Sequence, residues 1–173
     1  RLSSIDPIKG GGSPSWSPDG RRITFASQRM GNPGGRVDIY VINRDGSEEQ
    51  NLTNHTARDI NPSWSPDGEE IAFISDRTGE HIIYVMNADG LNQRQLSPRK
   101  VSEDSSIAWS PDGYHMLYSD GRDLYITDRD GKNERLFYSN GTRTVDPAWS
   151  PLGNEIAIAS ELERNLDIYV IDT

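Results

Sequence analysis

Apolar residues in this chain come in short runs, such as Ile71-Ala-Phe-Ile74 and Ile83-Tyr-Val-Met86, broken at regular intervals by Pro, Gly, Asn and Asp. Runs this short, bounded by turn formers, predict strands rather than helices. The pattern repeats. Trp16-Ser-Pro-Asp-Gly20, Trp64-Ser-Pro-Asp-Gly68, Trp109-Ser-Pro-Asp-Gly113 and Trp149-Ser-Pro-Leu-Gly153 lie 48, 45 and 40 residues apart, and they hold all four tryptophans. A period of roughly 40 to 50 residues with strand-sized runs is that of a propeller blade.

Each repeat reads as four strands, a to d. Strand a ends at the Trp, and Ser-Pro-Asp-Gly makes the a–b turn, with Pro where a fixed φ helps and Gly where φ must be positive. Strand b is apolar on both faces, as in Ile71-Ala-Phe-Ile74, Ile23-Thr-Phe-Ala26 and Ile156-Ala-Ile-Ala159. Such a strand is buried on both sides, as between two neighbouring blades. Strand c carries Tyr40, Tyr84, Tyr125 and Tyr169, and an Asp-Gly turn at Gly46, Gly90 and Gly131 leads to a short strand d around Leu52, Leu96 and Leu136. The fourth repeat stops at Thr173, before a strand d. Leu2 stands 14 residues ahead of Trp16, whereas the other d-strand leucines stand 12, 13 and 13 ahead of the next Trp. Arg1-Leu2-Ser3 is therefore in phase to supply the missing strand. The expected fold is all-β: one propeller domain over 1–173 of four four-stranded antiparallel blades at about 13–53, 61–97, 106–137 and 146–173, the last closed by the N-terminal strand 1–3. A closed ring would be a monomer; the rivals are a homodimer of half-rings or part of a larger chain.

Asn61-Pro-Ser-Trp-Ser-Pro-Asp-Gly68, Ile71-Ala-Phe-Ile-Ser-Asp-Arg77, Ile83-Tyr-Val-Met-Asn-Ala-Asp-Gly90 and the closing Leu-Ser or Leu-Thr resemble the WD-like repeat of the TolB family of β-propellers over nearly the whole chain. The resemblance implies a periplasmic or extracellular bacterial setting, a peptide or protein ligand at the propeller mouth, and a channel that can hold calcium. Similar blades cap prolyl oligopeptidase-type peptidases. The alternative function is therefore the propeller domain of such a serine peptidase, or of another hydrolase, with its catalytic domain elsewhere.

Composition narrows the partners. A formal charge of −9 argues against nucleic acid, which needs clustered Lys and Arg. With no cysteine there is no disulfide framework and no thiol catalyst. No run is long enough to span a membrane, and Arg1 in place of Met reads as a processed or excised chain. No Gly-x-Ser-x-Gly elbow occurs, so the expectation is a non-catalytic binding module.

The a–b and c–d turns are nearly identical between repeats; the d–a and b–c loops differ, and variable loops on a rigid scaffold are where binding concentrates. The longest, Gln28 to Asp38, leads. Expected ligand-binding residues are Arg29, Asn32, Arg36, His55, Arg58, Asp59, Arg77, His81 and Arg143. Near the entrance to each strand a stand oxygen-bearing residues, Asn61, Asp104 and Asp146 among them. Such a ring suits a calcium ion, which takes six to eight oxygens; the same side chains also suit local capping of the strand.

Overall fold

The structure is a computed structural model that describes residues 12–28 and 36–173. Among the described residues every regular element is a strand, and no helix crosses a membrane. The chain divides into two compact units, 1–95 and 96–173.

In the first unit, β1 (Ser15–Trp16), β2 (Arg22–Ser27), β3 (Asp38–Asn43) and β4 (Gln50–Asn51) form one antiparallel sheet in that order. A second sheet follows as β5 (Asp59–Trp64), β6 (Glu70–Ser75), β7 (Ile82–Asn87) and β8 (Arg94–Lys100), whose last strand runs past the end of the unit. The second unit holds β9 (Ile107–Trp109), β10 (His115–Ser119), β11 (Leu124–Asp128) and β12 (Arg135–Tyr138) as a third sheet. The fourth, β13 (Thr144–Trp149), β14 (Glu155–Ser160) and β15 (Asp167–Asp172), has three strands among the described residues. We call these blades 1 to 4. The expected closing segment 1–3 lies outside the described residues.

The recurring phrase is turn chemistry. In blade 2 the buried Ser65 hydroxyl donates to Asp67 at 2.6 Å and accepts the amide of Glu70 at 3.0 Å, while Asp67 accepts the amide of Glu69 at 3.0 Å. Gly68 closes the turn by donating its amide to the Ser65 carbonyl at φ 74°, a region where only glycine sits freely. Blades 1 and 3 repeat these bonds through Ser17 with Asp19 and Ser110 with Asp112. The serine hydroxyls, with the amides that follow, hold both carboxyls below their ordinary value. In blade 4, where Leu152 replaces the aspartate, Ser150 turns to Asn154 instead, at 3.0 Å.

The Asp-Gly turn between strands c and d is fixed by its neighbour. A Cβ on Gly90 would sit 2.7 Å from the Leu52 carbonyl of blade 1, and one on Gly131 would sit 2.1 Å from the Leu96 carbonyl. Glycine is thus required twice over, by backbone angle and by the strand against it. In the second unit the packing between sheets is apolar: Leu117, Leu124 and Ile126 of blade 3 meet Ile156 and Ile158 of blade 4, flanked by Trp149, Tyr169 and Ile171.

Candidate functional site

The expected oxygen ring sits on a backbone irregularity. Strands β5 and β13 begin two residues earlier than the sequence suggests, and the register slips between Ile60 and Ser63 and between Val145 and Ala148. Asn61 and Asp146 occupy those bulges at φ 53° and 52°, in the left-handed region that Asn and Asp tolerate best. Their oxygens accept hydroxyls from the preceding blade of the same unit: Ser13 donates to Asn61 at 2.7 Å, and Ser106 to Asp146 at 3.1 Å. Asp104 is exposed, in a turn where its amide donates to Ser102. Asn61 belongs to the first unit and Asp104 and Asp146 to the second. Among the described residues no three His, Cys, Asp or Glu side chains gather as a metal-binding group.

Two of the expected ligand residues, Asp59 and Arg77, come together inside blade 2. The Asp59 side chain is fully buried, and the Arg77 guanidinium reaches both its oxygens at 3.3 Å. Arg77 also donates to Ser75 and Gln93, each at 2.8 Å, and lies 4.5 Å over the Tyr84 ring. Four hydrogen bonds within blade 2 thus hold that arginine against the buried carboxylate.

The remaining expected residues are on loops. Arg36 and His55 are exposed; Arg58 and His81 are half-buried. His55 accepts the Ala57 amide at its Nδ1 at 2.9 Å, and its own amide donates to Asp38 at 3.4 Å. The Arg58 amide donates to Asp76 at 2.7 Å. Arg143 is exposed and lies 3.8 Å from Glu161 across the base of the β14–β15 loop. Arg29 and Asn32 lie outside the described residues.

Sequence reasoning passed over two carboxylates. Asp38 opens strand c of blade 1, is fully buried, and accepts the Asn51 amide nitrogen at 2.8 Å and the Thr53 hydroxyl at 3.4 Å. Its signal was legible: an acidic residue directly before an apolar strand recurs as Asp123 and Asp167. Glu134 follows the c–d turn of blade 3 and accepts hydroxyls from Ser97 and from the wholly buried Tyr118, with Arg99 at 3.1 Å. Arg99 in turn stacks 3.7 Å over Tyr125. Burial works to raise the Glu134 carboxyl, but the hydroxyls and Arg99 outweigh it and hold it below its ordinary value. Burial first, then the carboxylate that takes its hydrogen bond, pushes the Tyr118 hydroxyl well above the usual tyrosine range.

These repeating blades, with their Ser-Pro-Asp-Gly turns, match a family model described as the TolB beta propeller domain over residues 5–136. The chain belongs to that family. Among TolB relatives, the Tol-Pal system protein TolB of Desulfosudis oleivorans is 31% identical over 97 residues, 54% of this chain and 22% of that protein. The crystal structure of TolB from Acinetobacter baumannii superposes with a TM-score of 0.79 at 21% identity, over 94% of this chain and 41% of that one. A puromycin-hydrolyzing peptidase of Mycobacterium tuberculosis shares the fold with a TM-score of 0.72 at 17% identity, over 98% of this chain and 28% of that one. The chain thus spans less than half the length of each. At these identities the two structural likenesses are of fold alone, and they include both a TolB and an enzyme.

Proposed function

We propose that this TolB-family chain is a non-catalytic binding module that recognises a peptide or protein through its d–a and b–c loops, in a periplasmic or extracellular setting. The carrying observation is the division of polar side chains. On the a–b turns the Ser and Asp groups are spent on the turn itself. On the loops Arg36, His55 and Arg143 present charge or imidazole at an exposed surface. A rigid scaffold that satisfies one set of turns internally and varies the opposite loops is the usual platform for recognition. The experiment is selection of a random displayed-peptide library against the wild-type chain, followed by titration of one enriched peptide with Arg36→Glu, His55→Ala and Arg143→Glu. Loss of tenfold or more in affinity, about 1.4 kcal/mol, in at least one variant is expected; unchanged affinity in all three overturns the loop assignment.

The calcium expectation at Asn61, Asp104 and Asp146 has its own test. An ion that binds only the folded chain raises Tm once its concentration passes Kd, and no shift at millimolar calcium removes it. The second reading, a propeller domain of a peptidase, is favoured by the likeness to the mycobacterial enzyme. Peptide-arylamide hydrolysis by the complete gene product, abolished by a serine-directed phosphonate, would replace the binding-module reading.

A further inference from the structure

The a–b turn of blade 4 breaks a rule that the other three keep. In blades 1 to 3 the aspartate of the phrase accepts the serine hydroxyl and the backbone amide two residues on, as Asp19, Asp67 and Asp112 do. Blade 4 puts Leu152 there, so both donors lose that acceptor, and Ser150 turns to Asn154. The leucine is also 88% exposed, so it buries little against the chain that carries it. This exposure belongs to the position itself. Asp67 is exposed although an added Cβ on Gly68 would sit 3.2 Å from Pro18 of the blade before it, and Asp112 is exposed although the blade 4 turn lies on the neighbouring Pro111. Neither a preceding nor a following blade covers this place. An apolar side chain kept where the turn calls for aspartate, and aimed at solvent, points to a contact with another molecule.

Leu152 has apolar company. Tyr114, two residues past Asp112, is 70% exposed, and Pro111 and Pro151 are exposed as well. An added Cβ on Gly153 would sit 3.8 Å from Pro111, so the two turns lie side by side within the second unit. The rim is acidic. The Tyr114 carbonyl accepts the Arg129 amide at 2.9 Å, which brings the c–d turn and its Asp130 alongside, and Glu155 follows the blade 4 turn. Asp112, Asp130 and Glu155 are exposed, and Lys132 is held by Asp130 at 2.7 Å. On a chain of formal charge −9, such a rim repels a second copy and attracts a cation. Two large apolar side chains also offer far less than the about 1,200 Å² that a stable protein pair buries. We propose that the a–b turns of blades 3 and 4 dock a short basic peptide segment, its apolar anchor against Tyr114 and Leu152 and its Lys or Arg side chains on the acidic rim. The surface shares no residue with the loops assigned to the ligand above, so the two proposals stand or fall separately.

Titration of the whole chain with acetyl-Lys-Lys-Phe-Lys-Lys-amide, followed by amide NMR shifts, tests it. Shifts are expected at residues 112–114 and 152–155, and acetyl-Lys-Lys-Gly-Lys-Lys-amide should bind about tenfold more weakly or worse. Tyr114→Ser and Leu152→Asn are each expected to weaken the phenylalanine peptide by about tenfold or more. Asparagine returns a neutral acceptor to the turn, so Leu152→Asn should unfold at the wild-type Tm or above it. Leu91→Ser, at an exposed apolar turn residue of blade 2, leaves the affinity unchanged. No binding by about 1 mM peptide, shifts confined to other residues, an affinity indifferent to both substitutions, or a lower Tm in Leu152→Asn overturns the proposal. So does self-association of the wild type in light scattering that Leu152→Asn abolishes, which would make a second copy the occupant.

Discussion

Strands β7 and β15 carry nearly the same sequence, Ile82-Ile-Tyr-Val-Met-Asn87 and Asp167-Ile-Tyr-Val-Ile-Asp172, and lead different lives. In blade 2 the strand is flanked by β6 and β8 and is buried almost throughout. In blade 4 it pairs with β14 alone among the described residues and is largely exposed. The apolar alternation therefore specifies a strand and the faces it would bury; whether they are buried depends on the neighbours. The blades also differ in how they spend polar groups. Blade 2 locks Asp59 to Arg77 at the edge of its core; at the position matching Asp59, blade 4 has Thr144, in a neutral cluster with Ser160 and Asn140.

The largest separation between the two blades should come from Asp59→Ala. Removing one member of a buried ion pair strands the other, at about 3–5 kcal/mol, and urea unfolding should show that loss while Arg77→Met added to it returns part. Next is the strand itself. Ile83→Ala, at a fully buried site, is expected to cost about 2–5 kcal/mol, whereas Ile168→Ala, at an exposed one, stays within about 0.5 kcal/mol. Similar losses at both would erase the comparison. Turn glycines sharpen it further. Gly153 has a left-handed backbone and no neighbour nearer than 3.8 Å to an added Cβ, so Gly153→Ala costs about 1 kcal/mol. Gly90→Ala adds a clash with the Leu52 carbonyl and should cost distinctly more.

Blade 3 supplies a pH-dependent counterpart to the ion pair of blade 2. Tyr118 holds its proton more tightly in the fold than its ordinary value of 10.0 allows, so its contribution is complete below that value and is lost as pH climbs through the folded one. Glu134 runs the other way: its folded value lies below 4.5, so its contribution is complete above 4.5 and fades as pH falls through the folded value. Tyr118→Phe, the ring that blades 1 and 2 place there as Phe25 and Phe73, should flatten the alkaline loss of urea midpoint seen in the wild type. An equal alkaline loss in both chains would contradict it. The smallest effect belongs to the exposed Arg143 beside Glu161: Arg143→Ala should move stability by less than about 1 kcal/mol.

The strands and tight turns were legible because their causes are local. Serine, proline, aspartate and glycine in that order make one turn wherever they occur, and a Tyr-centred apolar run makes strand c four times. What escaped the sequence was long-range or conformational. Asn61 and Asp146 looked like ligands because they carry oxygens at a repeated position, yet the same residue types suit a left-handed bulge. Arg77 and Asp59 looked like loop charges because 18 residues separate them, and only the b-strand hairpin folds one onto the other. Glu134 could not be paired in advance with Ser97, 37 residues away on the strand beside it. Trp16 shares its phrase with three other tryptophans, so nothing local distinguishes it, and its 56% exposure is visible only in the fold.

Amide hydrogen exchange on the wild-type chain measures the central contrast directly, strand by strand. The prediction is protection of β7 amides close to the global unfolding limit, with the outward-facing amides of β15 exchanging orders of magnitude faster. Equal protection of Val85 and its neighbours in β7 and of the whole of β15 would contradict the claim that these near-identical strands are set apart by their neighbours.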